Sequence, residues 1–232
     1  MITAADFANS RVTNPGQSEI IRNRFYDYQL YPTAGGAQLS FFSSPVGQGV
    51  TSALGGTVGT AKTLWDTNLE MGSTLPSGKS YLVESIEVLF LPGSVATANT
   101  YTPANLSFFA AVAATTVITG ANDVNTIMQS GLLEFNILSK NYLRETPLLA
   151  FPPKAHLEIS GAVSSNSATT AEVGFQMTKA VGRPYYVEPK IMLQPAVNFE
   201  VLIKWPAAVA TPSGFNGRIG VILDGAFMRA SQ

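Results

Sequence analysis

The sequence of 232 residues contains no cysteine, a single histidine and only 12% charged residues. Each shortage removes a class of chemistry. Without cysteine there is no disulfide, no thiolate metal site and no cysteine nucleophile. One imidazole, His156, removes most zinc and non-haem iron centres, which recruit two or three histidines, and with them a cupin-type metal site. The charged fraction is about half the ~25% of an ordinary soluble domain, while hydrophobic residues stand at an ordinary 46%. Ser, Thr, Asn, Gln, Gly and Pro take the place of the missing charges. The net charge of -1 provides no basic field to hold a nucleic acid non-specifically. A free monomer is normally kept soluble by a charged surface. So little charge predicts either a surface covered by neighbouring subunits or a neutral polar surface facing outward.

Long hydrophobic runs are missing too. The longest, LSFFAAVAATTVI (106–118), is short and broken by Ser and Thr, so no transmembrane segment is expected. The opening MITAADFANSR has neither a basic n-region nor an apolar h-region, and no secretory signal is expected. These readings predict a soluble protein made in a cytoplasm. The length suits one large domain, or two small ones that share a core, burying roughly 70–75% of the unfolded surface without a staple.

What is present is alternation. Ile86, Val88 and Phe90 share a face in YLVESIEVLFL (81–91), together with Leu82, and Glu84 is the exception among them. Phe199, Val201, Ile203 and Trp205 alternate with Glu200 and Lys204. Ile219, Val221, Leu223 and Phe227 oppose Arg218, Asp224 and Ala226. Leu133, Phe135 and Ile137, then Leu157 and Ile159, then Val173, Phe175 and Met177 repeat the pattern. Period two predicts half-buried antiparallel strands. With Gln38–Phe42 and Leu106–Ile118 added, about eight strands are expected, and a short helix over Asn122–Gln129 capped by Asn122 or Asp123. Strands without intervening long helices predict an all-β sandwich, and long non-hairpin connections favour a single jelly roll. The expected core includes Ile86, Val88, Phe90, Phe135, Ile137, Phe175, Val201, Ile203, Val221 and Leu223. Residues 1–37 show no sustained period and cluster aromatics, which predicts an N-terminal arm ordered by neighbours, followed by the sandwich domain at 38–232.

Candidate sites are few, and each has a plain structural reading. His156 and Glu158 share a strand face and could shuttle a proton, but a cross-face polar pair explains them. The carboxylate pairs Glu84/Glu87 and Glu188/Glu200 lie in no glycosidase-like sequence. No G-x-S-x-G elbow precedes a helix. Gly55-Gly56-Thr57-Val58-Gly59 lacks the ending of a P-loop and Lys62-Thr63 is wrongly spaced, which leaves a Gly-rich loop. Arg11, Arg22 and Arg24 with Phe25, Tyr26, Tyr28 and Tyr31 form a small basic–aromatic patch suited to nucleic-acid contact, though Asp6, Glu19 and Asp27 cancel its charge. Trp65, Trp205, Tyr185 and Tyr186 could form a sugar platform; Trp205 falls on an apolar strand face and Trp65 in a loop. No catalytic, cofactor-binding or metal-binding residues are assigned, no cofactor is expected, and the reading is not an enzyme. The last strand offers sparse charge, Arg218 and Asp224 with Gly220, Ile222 and Ala226, for an exposed edge.

The stretches DTNLEMGSTLPSGKSYLVESIEVLFLPG (66–93), NILSKNYLRETPLLAFPP (136–153) and GRIGVILDGAFMRASQ (217–232) resemble the jelly-roll capsid proteins of icosahedral bacterial viruses. The likeness spans roughly residues 38–232, is one of architecture and texture, and carries no signature motif, so no functional residue is transferred. It implies a virion structural protein: many copies of one subunit in a self-assembled shell, formed in the host cytoplasm beside other virion proteins. The alternative is a carbohydrate- or receptor-binding β-sandwich, including a decoration or spike protein.

Overall fold

The computed structural model describes residues 19–52, 61–93, 114–154, 156–165, 170–179 and 182–229, with the backbone alone described over 114–121, 156–165 and 170–179. The elements follow in the order β1 (Glu19–Tyr31), β2 (Gln38–Phe41), β3 (Lys79–Leu91), α1 (Ala114–Ser130), β4 (Leu132–Ile137), β5 (Lys140–Pro147), β6 (His156–Ser165), β7 (Thr170–Lys179), β8 (Tyr185–Leu193), β9 (Phe199–Lys204) and β10 (Gly217–Arg229). Strands hold 52% of the described residues, so the class is all-β. Two four-stranded antiparallel sheets run in the orders β1-β10-β3-β8 and β2-β9-β4-β5, and β6 pairs with β7 in a separate hairpin.

The sheets form a sandwich because their apolar faces bury each other. Phe25 of β1 lies 5.1 Å from the stacked ring of Phe42 and 6.0 Å from Phe199 of β9. Tyr31 meets Trp205 edge-on at 5.2 Å. Nine of the ten expected core residues are buried, from Ile86 and Val221 to Ile137, while the side chain of Phe175 lies outside the described residues.

Several expectations are corrected. Residues 19–31, placed in the arm, form β1, which pairs along its whole length with β10. Its period was hidden because aromatics occupy both faces: Phe25 and Tyr31 point inward with the polar Asp27 between them, and Tyr26 and Tyr28 point outward. Residues 114–118, expected as the end of a strand, begin α1. Their Thr and Val favour strands only weakly; tertiary packing decides, with Val124, Ile127 and Met128 against the core at helical spacing. Residues 106–113 lie outside the described residues. Asp123 does not cap the helix from outside but sits within it, buried, accepting from Ser213 N at 2.7 Å and contacting Ser213 Oγ. The strands β5 and β8 were not expected. The first is an exposed edge without an apolar face, and the second carries Pro189 on an outer strand, where a missing donor is tolerated.

Finally, β10 is not an exposed edge. It runs between β1 and β3, and residues 217–226 are buried along both faces. The edge strands are β1, β8, β2 and β5; on β5, Lys140, Arg144, Glu145 and Pro147 supply charge and a missing donor.

Candidate functional site

The outward face of the β1-β10-β3-β8 sheet gathers the unusual side chains. Registration across the three strands aligns Arg24 with Asp224 and Ser85, Tyr26 with Ile222 and Glu87, and Tyr28 with Gly220 and Leu89. Glu84 has no partner in that register: Val83 pairs with Gly225 and Ser85 with Asp224, so Glu84 is the extra residue of a β-bulge. The bulge reverses the phase of β3. Before it Tyr81 and Val83 face the core, and after it Ile86, Val88 and Phe90 do. That is why Leu82, expected inward with Ile86, is only half-buried.

At one end of this face lies a groove of about 300 Å³ lined by Tyr26, Tyr28, Leu64, Trp65, Arg218 and neighbours. The ring of Tyr28 covers Gly220, where even a Cβ would come within 2.2 Å of it. The Arg218 guanidinium stacks 3.9 Å above Tyr28 and 5.2 Å from Trp65. Arg218 is held there by Nε donating to Ser52 Oγ at 2.8 Å and by a contact from its terminal nitrogen to Trp65 O. Below it, the buried Asp66 accepts from Ser52 N, Ser52 Oγ, Thr51 Oγ1, Thr63 N and Thr63 Oγ1 at 2.5–3.3 Å. Burial pushes the Asp66 carboxyl up, but these hydrogen bonds outweigh it and hold the group below its ordinary value. The segment is stitched to the free edge of β1 by Tyr28 N to Asp66 O (2.8 Å) and Asn68 Nδ2 to Arg24 O (2.7 Å). Leu64 is 69% and Trp65 52% exposed at the rim.

Beside the groove sits an ionic cluster. Asp224 and Glu87 are 3% and 1% exposed, and Lys154, from the β5–β6 connection, lies over both. Lys154 Nζ contacts Asp224 Oδ2 and stands 3.7 Å from Glu87 Oε1, while its backbone N donates to Glu87 Oε2 at 2.9 Å. Glu87 Oε1 is buried without a hydrogen-bond partner. Arg22 and Arg24 approach Asp224 Oδ2 to 3.5 and 3.9 Å, and Arg22 also reaches Glu84 at 3.5 Å. Burial lowers the Lys154 pKa; Glu87 pulls it back up, and Arg24 and Arg22 push it further down.

The remaining sequence candidates disperse. His156 and Glu158 lie on β6, their side chains outside the described residues, as are Arg11 and Gly55–Gly59. Glu188 is on β8 and Glu200 on β9, in different sheets, with Glu200 accepting from Ser40 Oγ at 2.6 Å. Lys62 is buried against Asp27 at 2.6 Å. Trp205 is in the core, donating from Nε1 to Ile127 O at 3.1 Å. Tyr185 packs on Phe151, and Tyr186 is exposed on β8, across the sheet from the Trp65 groove. Lys154, Asp224 and Arg218 were not singled out as site residues. The available signal was a charge at an outward position of an otherwise apolar strand, as in VILDGAF (221–227).

Among the described residues no group of three or more His, Cys, Asp or Glu is placed to hold a metal ion, and no helix is long and apolar enough to cross a membrane. The chain matches no family model, no curated protein and no solved structure.

Proposed function

We propose that the chain is a virion structural protein, a capsid subunit of jelly-roll architecture that self-assembles in many copies into an icosahedral shell, with other virion proteins as partners. The observation that carries this reading is the strand order. Once the β6–β7 hairpin is set aside, successive strands alternate between the sheets except at β4–β5. The orders β1-β10-β3-β8 and β2-β9-β4-β5 support a reading as two interlocked Greek keys, the plan shared by viral capsid and lectin domains. The low charge supports burial of the surface between copies, as do the exposed Leu64, Trp65, Leu138, Leu149 and Tyr186. Arg22 and Arg24 are engaged by Asp224 and Glu84 of their own face, which favours no nucleic-acid contact by these two.

Negative-stain microscopy with sedimentation velocity of the purified chain tests the reading. Shells or closed rings of many copies are expected; a monomer that persists at high concentration would overturn it. The groove at Trp65 favours a second reading, a carbohydrate- or receptor-binding sandwich. Glycan-array binding by a stable monomer, lost on Trp65→Ala, would select it.

A further inference from the structure

Lys154, Asp224 and Glu87 combine an amine, a carboxyl carbon and a buried proton carrier in one place. We propose that Lys154 and Asp224 become joined by an intramolecular amide bond, with Glu87 moving the proton. The proposal stands whether or not the chain assembles.

The geometry supplies proximity first. Lys154 is held through both of its backbone polar groups: its N donates to Glu87 Oε2 at 2.9 Å and its O accepts from Gly182 N at 3.0 Å. Three residues earlier in the same approach, Phe151 O accepts from Val88 N at 2.9 Å, so the connection is fixed against β3. The amine is thereby delivered to Asp224 Oδ2 on the adjacent strand. An amine and an acid held in contact react as one molecule, which removes the entropic barrier of meeting.

Burial supplies the protonation states. An ion pair in a site where Asp224 and Glu87 are almost without solvent is costly to keep charged. Transfer of one proton from Nζ to Asp224 gives a neutral amine and a neutral acid. The lowered basicity of Lys154 assists that transfer. The nitrogen lone pair then attacks Cγ, forming the C–N bond, and the carbonyl pair moves onto oxygen. That charge develops on Oδ1, since Oδ2 carries the proton from Nζ; Arg22 and Arg24 stand 3.5 and 3.9 Å from Oδ2, and their positive field on the same carboxyl offsets part of it. Glu87 Oε1, 3.7 Å from Nζ and free of any hydrogen bond, takes a proton from the nitrogen and passes it to the departing hydroxyl. The C–O bond breaks, water leaves, the carbonyl re-forms and Glu87 is returned unchanged. The sum is an ammonium and a carboxylate giving an amide and one water, with no oxidant or co-reactant. The product ties the β5–β6 connection to β10 covalently, a staple that a chain without cysteine cannot make through sulfur.

Intact-mass spectrometry of the denatured full chain tests this directly. The wild type is expected to be lighter than its sequence by one water, and tryptic digestion should leave the Lys154–Ala155 bond uncut and yield a branched peptide joining Lys154 to Asp224. Lys154→Arg and Asp224→Ala should each show the full mass. Glu87→Gln should form the bond about 100-fold more slowly, the scale of a lost proton carrier, and Glu87→Asp should recover part of the rate. A wild-type chain of full mass after prolonged incubation would overturn the proposal, and so would a water loss that maps to any other pair. This readout needs no folded variant, because the wild type alone decides it. Bond formation at the wild-type rate in Glu87→Gln would overturn the role given to Glu87.

Discussion

Asp27 shows how one buried polar side chain sets its surroundings. It faces the core from β1, pairs with Lys62 at 2.6 Å and accepts from Phe42 N at 2.7 Å. That last bond helps hold Phe42 at φ 64, an uncommon backbone for a bulky residue, and turns its ring onto Phe25. Asp66 plays the matching part under the groove, and its environment makes a pH-dependent prediction. Its folded pKa is lowered, so its contribution to stability is present at neutral pH and is lost as pH falls through the folded value, below ~4. Asp66→Asn keeps the shape but turns an amide donor toward donors. The variant is expected to lose about 2 kcal/mol at pH 7, the scale of hydrogen bonds to a charged group. Its urea midpoints should also fall less steeply on acidification than those of the wild type. Parallel pH curves for the two proteins would count against this assignment.

Elements are joined here by irregularities as much as by regular pairing. The bulge at Glu84 lets β3 bring Tyr81 and Val83, then Ile86 and Val88, to the same core face, and places Glu87 on the outer face under Lys154. Gly225 stands across from it, and a Cβ there would lie 1.8 Å from Leu82 O, a backbone atom that cannot step aside. Gly225→Ala is therefore expected to cost about 1–3 kcal/mol, as overpacking does, read as a lower urea midpoint at an unchanged slope. Wild-type stability would mean that the strand pair relaxes more freely than its register suggests. The helix end is tied in a comparable way: Ile127 O, one of the carbonyls of the last turn, accepts from Trp205 Nε1. On the surface of α1, Gln129 and Asn125 pair one turn apart at 2.8 Å. Strands β4 and β9 and most of β10 were legible from alternation, since each presents an apolar face to the sandwich. β5, with no such face, and β1, with aromatics on both, were not.

For the molecule as a whole, the β6–β7 hairpin is an excursion from the sandwich. It pairs only with itself among the described strands, packs against α1, and returns where Gly182 N meets Lys154 O. Replacing residues 156–180 with a short turn should leave both four-stranded sheets intact. Cooperative unfolding and a near-ultraviolet circular dichroism signal from Tyr31 and Trp205 are expected, at reduced stability because α1 loses a neighbour. Loss of cooperativity would show that the hairpin is integral to the core. The sequence by itself determined the all-β class and most of the core, because period-two alternation is local and the burial it demands follows from each strand alone. It also carried the scarcity of charge. Only the tertiary structure decided that β1 belongs to the sheet, that β10 lies between β1 and β3, and that Lys154 meets Glu87 and Asp224, 67 and 70 residues away. Contacts at that separation depend on strand order and on the phase of a single bulge. A shift of one residue at Glu84 moves Glu87 to the other face, and no local pattern records which face wins.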